Sequence, residues 1–307
     1  MKRRTLLKSL AALPLATAAG SGWAAVNENY GPRFKLSLNI YSFNRLLREG
    51  AVDLFDLLKF CAEHDFDAID PTGYYFPGYP AVPPDDYINS FKKRAFYLGL
   101  DISGTGVRNE FATPDPERRA ADIELVRAWI EVAAKLGSPN LRIFAGKSEH
   151  GGYSREQVFE WMARDIQTCC EYGKEHGVVI ALQNHNNFLK TADDVDEIFK
   201  RVDSDWLGLN LDIGSYRVGD PYTEIERNIQ RAITWQIKEN VWIDGVQTPT
   251  DLKRLAGIIR RSGYRGYLPL ETLGAGDPYV KVPALVDKAR AAGLFTQTQK
   301  RNGQEIL

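Results

Sequence analysis

Residues 177–214 read GVVIALQNHNNFLKTADDVDEIFKRVDSDWLGLNLDIG. Two short apolar runs, VVIALQ and WLGLNLD, are the length of buried strands. Between them TADDVDEIFKRV places Ala192, Val195, Ile198, Phe199 and Val202 at helical spacing, and Thr191 is suited to cap that helix. Strand, helix and strand in this order indicate a parallel βαβ unit.

The same unit repeats outward in both directions. Strand candidates fall at 34–43 (FKLSLNIYSF), 66–72 (FDAIDPT), 100–107 (LDISGTGV), 140–146 (NLRIFAG), 232–239 (AITWQIKE) and 264–272 (YRGYLPLET). Helical patterns fall at 51–64, 85–98, 116–136, about 155–175, 221–231, 250–261 and 279–292, and Gly137 ends the third helix along the chain. Eight strand–helix units in one chain of 307 residues indicate an α/β fold, a (β/α)8 TIM barrel spanning 34–307. An open doubly wound sheet needs a glycine-rich phosphate loop after an early strand, and Gly104-Thr105-Gly106 is too short to be one.

The first 25 residues read as an export signal. Lys2, Arg3 and Arg4 precede the apolar stretch LLKSLAALPLATAAG, and Gly22, Ala24 and Ala25 offer small residues for cleavage. The run RRTLLK resembles a twin-arginine motif. The expectation is therefore an exported, periplasmic protein, with residues 26–33 as a linker. Lys8 and Pro14 interrupt the apolar run, which argues against a stable membrane anchor. The 40 acidic residues face 39 basic ones, four of them within the first eight positions, so the remainder is mildly acidic. Such a body is unsuited to nucleic acid, whose binding is largely electrostatic. Cys61, Cys169 and Cys170 form no disulfide framework and read as buried thiols.

Polar side chains close four apolar runs: Gln183, Asp212, Gln236 and Glu271. A parallel barrel builds its site from such strand ends. Strand residues two apart share a face, so His185 accompanies Gln183, and Lys238 accompanies Gln236. His185, with Asn184 beside it, suits acid–base work. From the first half, Asn39, Tyr41, Asp70, Thr105 and Arg142 are candidates to line the cavity and bind substrate. His150, in the glycine-flanked loop KSEHGGY, is a candidate to close over it. Tyr74, Tyr75 and Phe76 either face a sugar ring or pack as a plug. The plainer alternative for the strand-end group is a set of ion pairs, Lys238 with Glu271 or Asp212, that stabilise the barrel.

The motifs ALQNH, LGLNLDIGS, TWQIKE and RGYLPLETLG, in that order, resemble the sugar phosphate isomerase/epimerase family of xylose isomerase-like TIM barrels over roughly residues 34 to 295. The resemblance implies a divalent cation, Mn2+ or Mg2+ ahead of Zn2+, held by Glu, Asp, His and Glu. Gln183, Asp212, Gln236 and Glu271 match those places here, two of them as amides. It also implies a sugar isomerase or epimerase that moves a proton next to a carbonyl. Glu271 or His185 would move the proton and Lys238 would stabilise the oxyanion. Asn39, Asp70, Arg142, Asn184 and His150 would hold a small carbohydrate. An exported enzyme points to a non-phosphorylated sugar or keto-sugar. Two alternatives stay open: a lyase or hydratase on 3-keto-sugars or keto-glycosides, and a non-catalytic carbohydrate-binding barrel. Assembly as a homo-oligomer is also open.

Overall fold

The computed structural model describes residues 33–147, 151–185 and 187–295. The export segment, the linker up to its last residue, and His150 lie outside the described residues. Strand β1 (Arg33–Asn39) leads through a 3-10 turn (Ile40–Phe43) into α1 (Asn44–Arg48) and α2 (Leu54–Glu63). Then follow β2 (Ala68–Asp70), a 3-10 turn (Gly73–Tyr75), α3 (Asp85–Tyr97), β3 (Asp101–Ile102), β4 (Thr105–Gly106) and α4 (Pro116–Leu136). The centre of the chain gives β5 (Asn140–Phe144), α5 (Arg155–His176), β6 (Val179–Gln183), α6 (Ala192–Arg201) and β7 (Leu207–Asp212). The remainder gives α7 (Pro221–Asn228), β8 (Ala232–Lys238), β9 (Asn240–Ile243), β10 (Val246–Pro249), α8 (Leu252–Arg261), β11 (Arg265–Glu271) and α9 (Pro278–Ala291).

Nine parallel segments run in the order β3-β2-β1-β11-β8-β7-β6-β5-β4. The two end segments belong to one stretch of chain, residues 101–106, so the sheet returns on itself as an eight-stranded barrel. Hydrogen bonds from Ser103 N to Ile69 O (2.9 Å) and Val107 N to Arg142 O (3.0 Å) tie that stretch to both neighbours. A parallel bridge between Thr72 and Gly106 completes the closure. The third strand was expected unbroken over 100–107. It breaks at Ser103-Gly104, where the Ser103 carbonyl accepts from the Asn140 side chain, Nδ2, at 2.9 Å.

The repeating unit at 177–214 shows why the pattern folds this way. Thr191 caps α6 in a capping box: its side chain accepts from Asp194 N, and the Asp194 carboxylate accepts from Thr191 N. Ala192, Val195 and Ile198 form the buried face of that helix. On β7, Leu209 and Leu211 join the apolar core, while Asn210 and Asp212 take the alternate face into the barrel. All three cysteines are buried free thiols, as expected.

One element was not expected. Strands β9 and β10 form an antiparallel hairpin between β8 and α8. Its turn residues Asp244 (φ 49°) and Gly245 (φ 77°) both take the left-handed region that a two-residue hairpin turn requires.

Candidate active site

The ends of β6, β7, β8 and β11 bring Gln183, Asp212, Gln236, Lys238 and Glu271 together. Asp212 pairs in register with Gln236, and Lys238 with Glu271, on adjacent strands. The Lys238 ammonium lies 2.8 Å from Asp212 Oδ2 and 3.0 Å from Glu271 Oε2. Asp212 Oδ2 also accepts from Gln183 Nε2 (2.9 Å) and Ser215 Oγ (2.8 Å), and its Oδ1 accepts from Gly214 N (2.9 Å). Gln183 Nε2 donates a second bond to Gln236 Oε1 at 2.8 Å. The ion pairs anticipated for Lys238 are therefore present, with both carboxylates at once.

Burial and charge set the protonation of this cluster. Burial pushes Asp212 up, but the Lys238 ammonium and the hydrogen bonds from Lys238 and Ser215 outweigh it and hold the carboxyl below its usual range. Glu271 goes the other way: burial raises it, and Lys238 only partly opposes that rise. Burial pulls Lys238 down, yet Asp212 and Glu271 together hold it above an ordinary lysine and keep it charged. Burial lowers His185, which favours the neutral imidazole.

A cavity of about 770 Å³ opens above the cluster. Glu271, Lys238, Gln183, Gln236 and His185 line it, with Asn39, Tyr41 and Arg142 from the first half of the barrel. Four expected site residues lie behind this surface. Asp212 is fully buried and meets the cavity wall through Lys238, Gln183, Gly214 and Ser215. Asn184 is also fully buried; its side chain accepts from Asp212 N (2.7 Å) and donates to Asp212 O (2.9 Å), locking β6 to β7 instead of contacting ligand. Asp70 accepts from Asn39 Nδ2 at 3.4 Å, and its burial raises it to about 7. Thr105 is buried too, its hydroxyl donating to Pro71 O at 2.6 Å.

The four strand-end residues converge, with Gln183 Oε1 and Glu271 Oε2 left as buried acceptors without a hydrogen-bond partner, but the Lys238 ammonium already stands beside both carboxylates. Asp212 already accepts four hydrogen bonds, three on Oδ2 and one on Oδ1, and is fully buried. Gln183 presents its NH2 group, not its carbonyl oxygen, to Asp212 and Gln236. The charge that would balance Asp212 and Glu271 is already supplied by Lys238.

Of the two readings of the aromatic loop each holds in part: Tyr74 faces the cavity, whereas Phe76 packs among Phe91, Trp129 and Tyr87. Several other cavity residues escaped the sequence reading. Arg108, Ser215 and Arg217 stand on loops after β4 and β7, where no periodicity marks them. The hairpin adds Asn240, Trp242 and Gln247 to the wall, the last two a cross-strand pair. Asp244-Gly245 between alternating apolar residues was the available signal for it.

A family model described as xylose isomerase-like TIM barrel matches residues 58–292. A curated relative, the uncharacterized protein y4fM of Sinorhizobium fredii, is 27% identical over 143 residues, and the match spans 43% of this chain and 45% of that protein. The chain thus spans about half the length of the curated relative it matches. D-psicose 3-epimerase from Clostridium cellulolyticum H10, solved with D-tagatose, superposes with a TM-score of 0.70 at 15% identity, covering 84% of this chain and 99% of that one. The IOLI protein, solved with a zinc atom, gives 0.66 at 16% identity, covering 85% and 96%. Other solved barrels of this shape include a 3-keto-D-glucoside 4-epimerase and a probable dehydratase. At these identities the likeness to solved structures shows the fold.

Proposed function

This chain belongs to the xylose isomerase-like TIM barrel family, and from that premise we propose that it moves a proton next to a carbonyl on a non-phosphorylated sugar or keto-sugar, as an isomerase- or epimerase-like enzyme acting outside the cytoplasm. One observation carries the reading: a buried ammonium, Lys238, bridges a committed carboxylate, Asp212, and a cavity-facing one, Glu271.

Glu271 is the base. Its carboxylate takes a proton from the carbon beside the substrate carbonyl, and the electron pair moves onto the carbonyl oxygen. The resulting oxyanion needs a positive charge fixed in advance in a dry site. Lys238 supplies it: its ammonium lies on the cavity wall within 3.0 Å of both carboxylates and carries three N–H donors, one of them available to the substrate oxygen in this scheme. Asp212 holds that ammonium in place and keeps it charged. Glu271 then returns the proton to the adjoining carbon. Neutral His185 carries the hydroxyl proton from one oxygen to the other, completing the isomerisation. The divalent cation expected from the resemblance has no step in this scheme, because the ammonium stands in its electrostatic place.

A second reading, elimination from a keto-sugar or keto-glycoside, is favoured by one fact. Glu271 is the one strand-end carboxylate of this cluster that lines the cavity, since Asp212 is enclosed and Gln183 is an amide. A single base suits proton removal from one face and loss of a leaving group, with His185 as the acid. Proton NMR in D2O with a panel of keto-sugars and keto-glycosides separates the readings. Exchange of the α-proton with isomerised product supports the first, and exchange with cleaved product supports the second. No exchange above the Glu271→Gln variant rejects both and leaves a binding barrel.

A further inference from the structure

A second cluster on the cavity wall takes no part in that chemistry. Arg142, on β5, is only 5% exposed, yet it lines the cavity. Its Nη1 donates to Val107 O at 2.6 Å, and its guanidinium lies over the Phe144 ring at 4.1 Å. Its Nη2 reaches the Tyr74 hydroxyl at 3.4 Å. Arg108, exposed and on the same wall, sits over the Tyr74 ring at 4.8 Å, and Arg142 is 5.8 Å from that ring. Two guanidiniums therefore converge on one phenol at the cavity surface.

Neither has an ion-pair partner among the described residues. Among the described residues no carboxylate lies within 4.0 Å of Arg108 or Arg142. Glu110 shares this wall, but its Oε1 accepts from Lys147 N at 2.7 Å. Asp70 and Glu271 feel the charge of Arg142 without pairing with it. A guanidinium cannot shed its proton, so burying one unpaired is costly, and bringing a second cation near adds repulsion. An anion bound on this wall within reach of both offsets both charges. The planar guanidinium fork matches a carboxylate or phosphate through paired N–H donors.

We infer that Arg142 and Arg108, with Tyr74 between them, form a docking site for an oxyanionic group on the substrate, and that the substrate is a sugar acid carrying a carboxylate. This deepens the reading above and rests on it for placing the substrate in this cavity. It concerns binding, and so it is measurable without turnover.

The test is calorimetric titration of the full chain with D-glucuronate and D-galacturonate, with D-glucose and D-galactose as their neutral counterparts, and with D-glucose 6-phosphate. The expected result is at least tenfold tighter binding of a uronate than of its neutral counterpart. Arg108→Ala, a change at an exposed position, is expected to remove most of that advantage and leave the affinity for the neutral sugar unchanged. Arg142→Lys, which keeps the charge but loses the fork, is expected to weaken uronate binding. Tighter binding of the phosphate than of either uronate would assign the arginines to a phosphate and overturn the sugar-acid claim. Equal affinities for uronates and neutral sugars, or no binding of any, would overturn the docking site itself. Uronate preference without α-proton exchange would keep the docking site and reject the proton-transfer reading.

Discussion

The Lys238 ammonium lies 2.8 Å from Asp212 Oδ2, and Asp212 has no contact with solvent. A buried carboxylate of this kind stays ionised only because a cation is fixed beside it. Lys238→Met is therefore expected to leave Asp212 and Glu271 as two neighbouring acids with no counter-charge. Breaking a buried pair by removing one partner costs about 3–5 kcal/mol. Urea denaturation of the variant checks this, and a stability equal to that of the parent would mean that Asp212 does not depend on Lys238.

The same lysine decides the response to metals. Removal of divalent ions with a chelator is expected to leave the unfolding midpoint unchanged, because the Lys238 charge is covalently part of the chain. Elemental analysis is expected to find no stoichiometric Mn, Mg or Zn. The triple variant Gln183→Glu, Gln236→His, Lys238→Met replaces two amides with ligands and removes the competing ammonium. It is expected to gain Mn2+ binding detectable by calorimetry. A stoichiometric metal in the parent protein that disappears in Asp212→Ala would sink this account.

The barrel was legible because its units are written in period. Apolar runs and helical spacing state where strands and helices lie, and polar residues closing the strands mark the end that carries the site. What periodicity does not encode was missed. The break at Ser103-Gly104 goes with a side-chain bond from Asn140 to the Ser103 carbonyl, a contact between residues far apart in sequence. Strand alternation gave Gln183, Asp212 and Gln236 one direction, but not which amide atom faces which acid. It also gave Asn184 no partner, because its contacts with the Asp212 backbone depend on the packing of β6 against β7. Arg108 and Trp242 lie on irregular or inserted segments, so only the folded loops bring them to the cavity.

Asn184 is expected to act on stability rather than as a ligand contact. Its side chain accepts from Asp212 N at 2.7 Å and donates to Asp212 O at 2.9 Å, within the barrel. Asn184→Ala strands a buried backbone donor, which costs about 1–3 kcal/mol. Chemical denaturation is expected to show that loss. The affinity of a bound sugar per folded molecule is expected to change little, and a large loss of affinity with unchanged stability would return Asn184 to the ligand-binding group.

Asp70 predicts a pH dependence with a definite sign. Burial raises its carboxyl from 3.8 to about 7 in the fold, with Arg142 opposing the rise and Glu271 adding to it. Between those two values the folded protein holds a proton that the unfolded chain has released. The folded state thus binds more protons, and stability falls as pH rises through that window, levelling above about 7. Glu271, also raised, contributes with the same sign. Asp212, which is lowered, contributes the opposite: stability present above 3.8 and lost as pH falls through its folded value. Both contributions largely cancel when the parent is compared with Asp70→Asn, which keeps the shape and removes the titration. The parent is expected to lose stability relative to the variant from about pH 4 to 7 and to hold a constant difference above that. Urea midpoints measured across pH 4–8 give the difference curve. A flat curve would mean that Asp70 is ionised throughout, with Arg142 close enough to hold its charge.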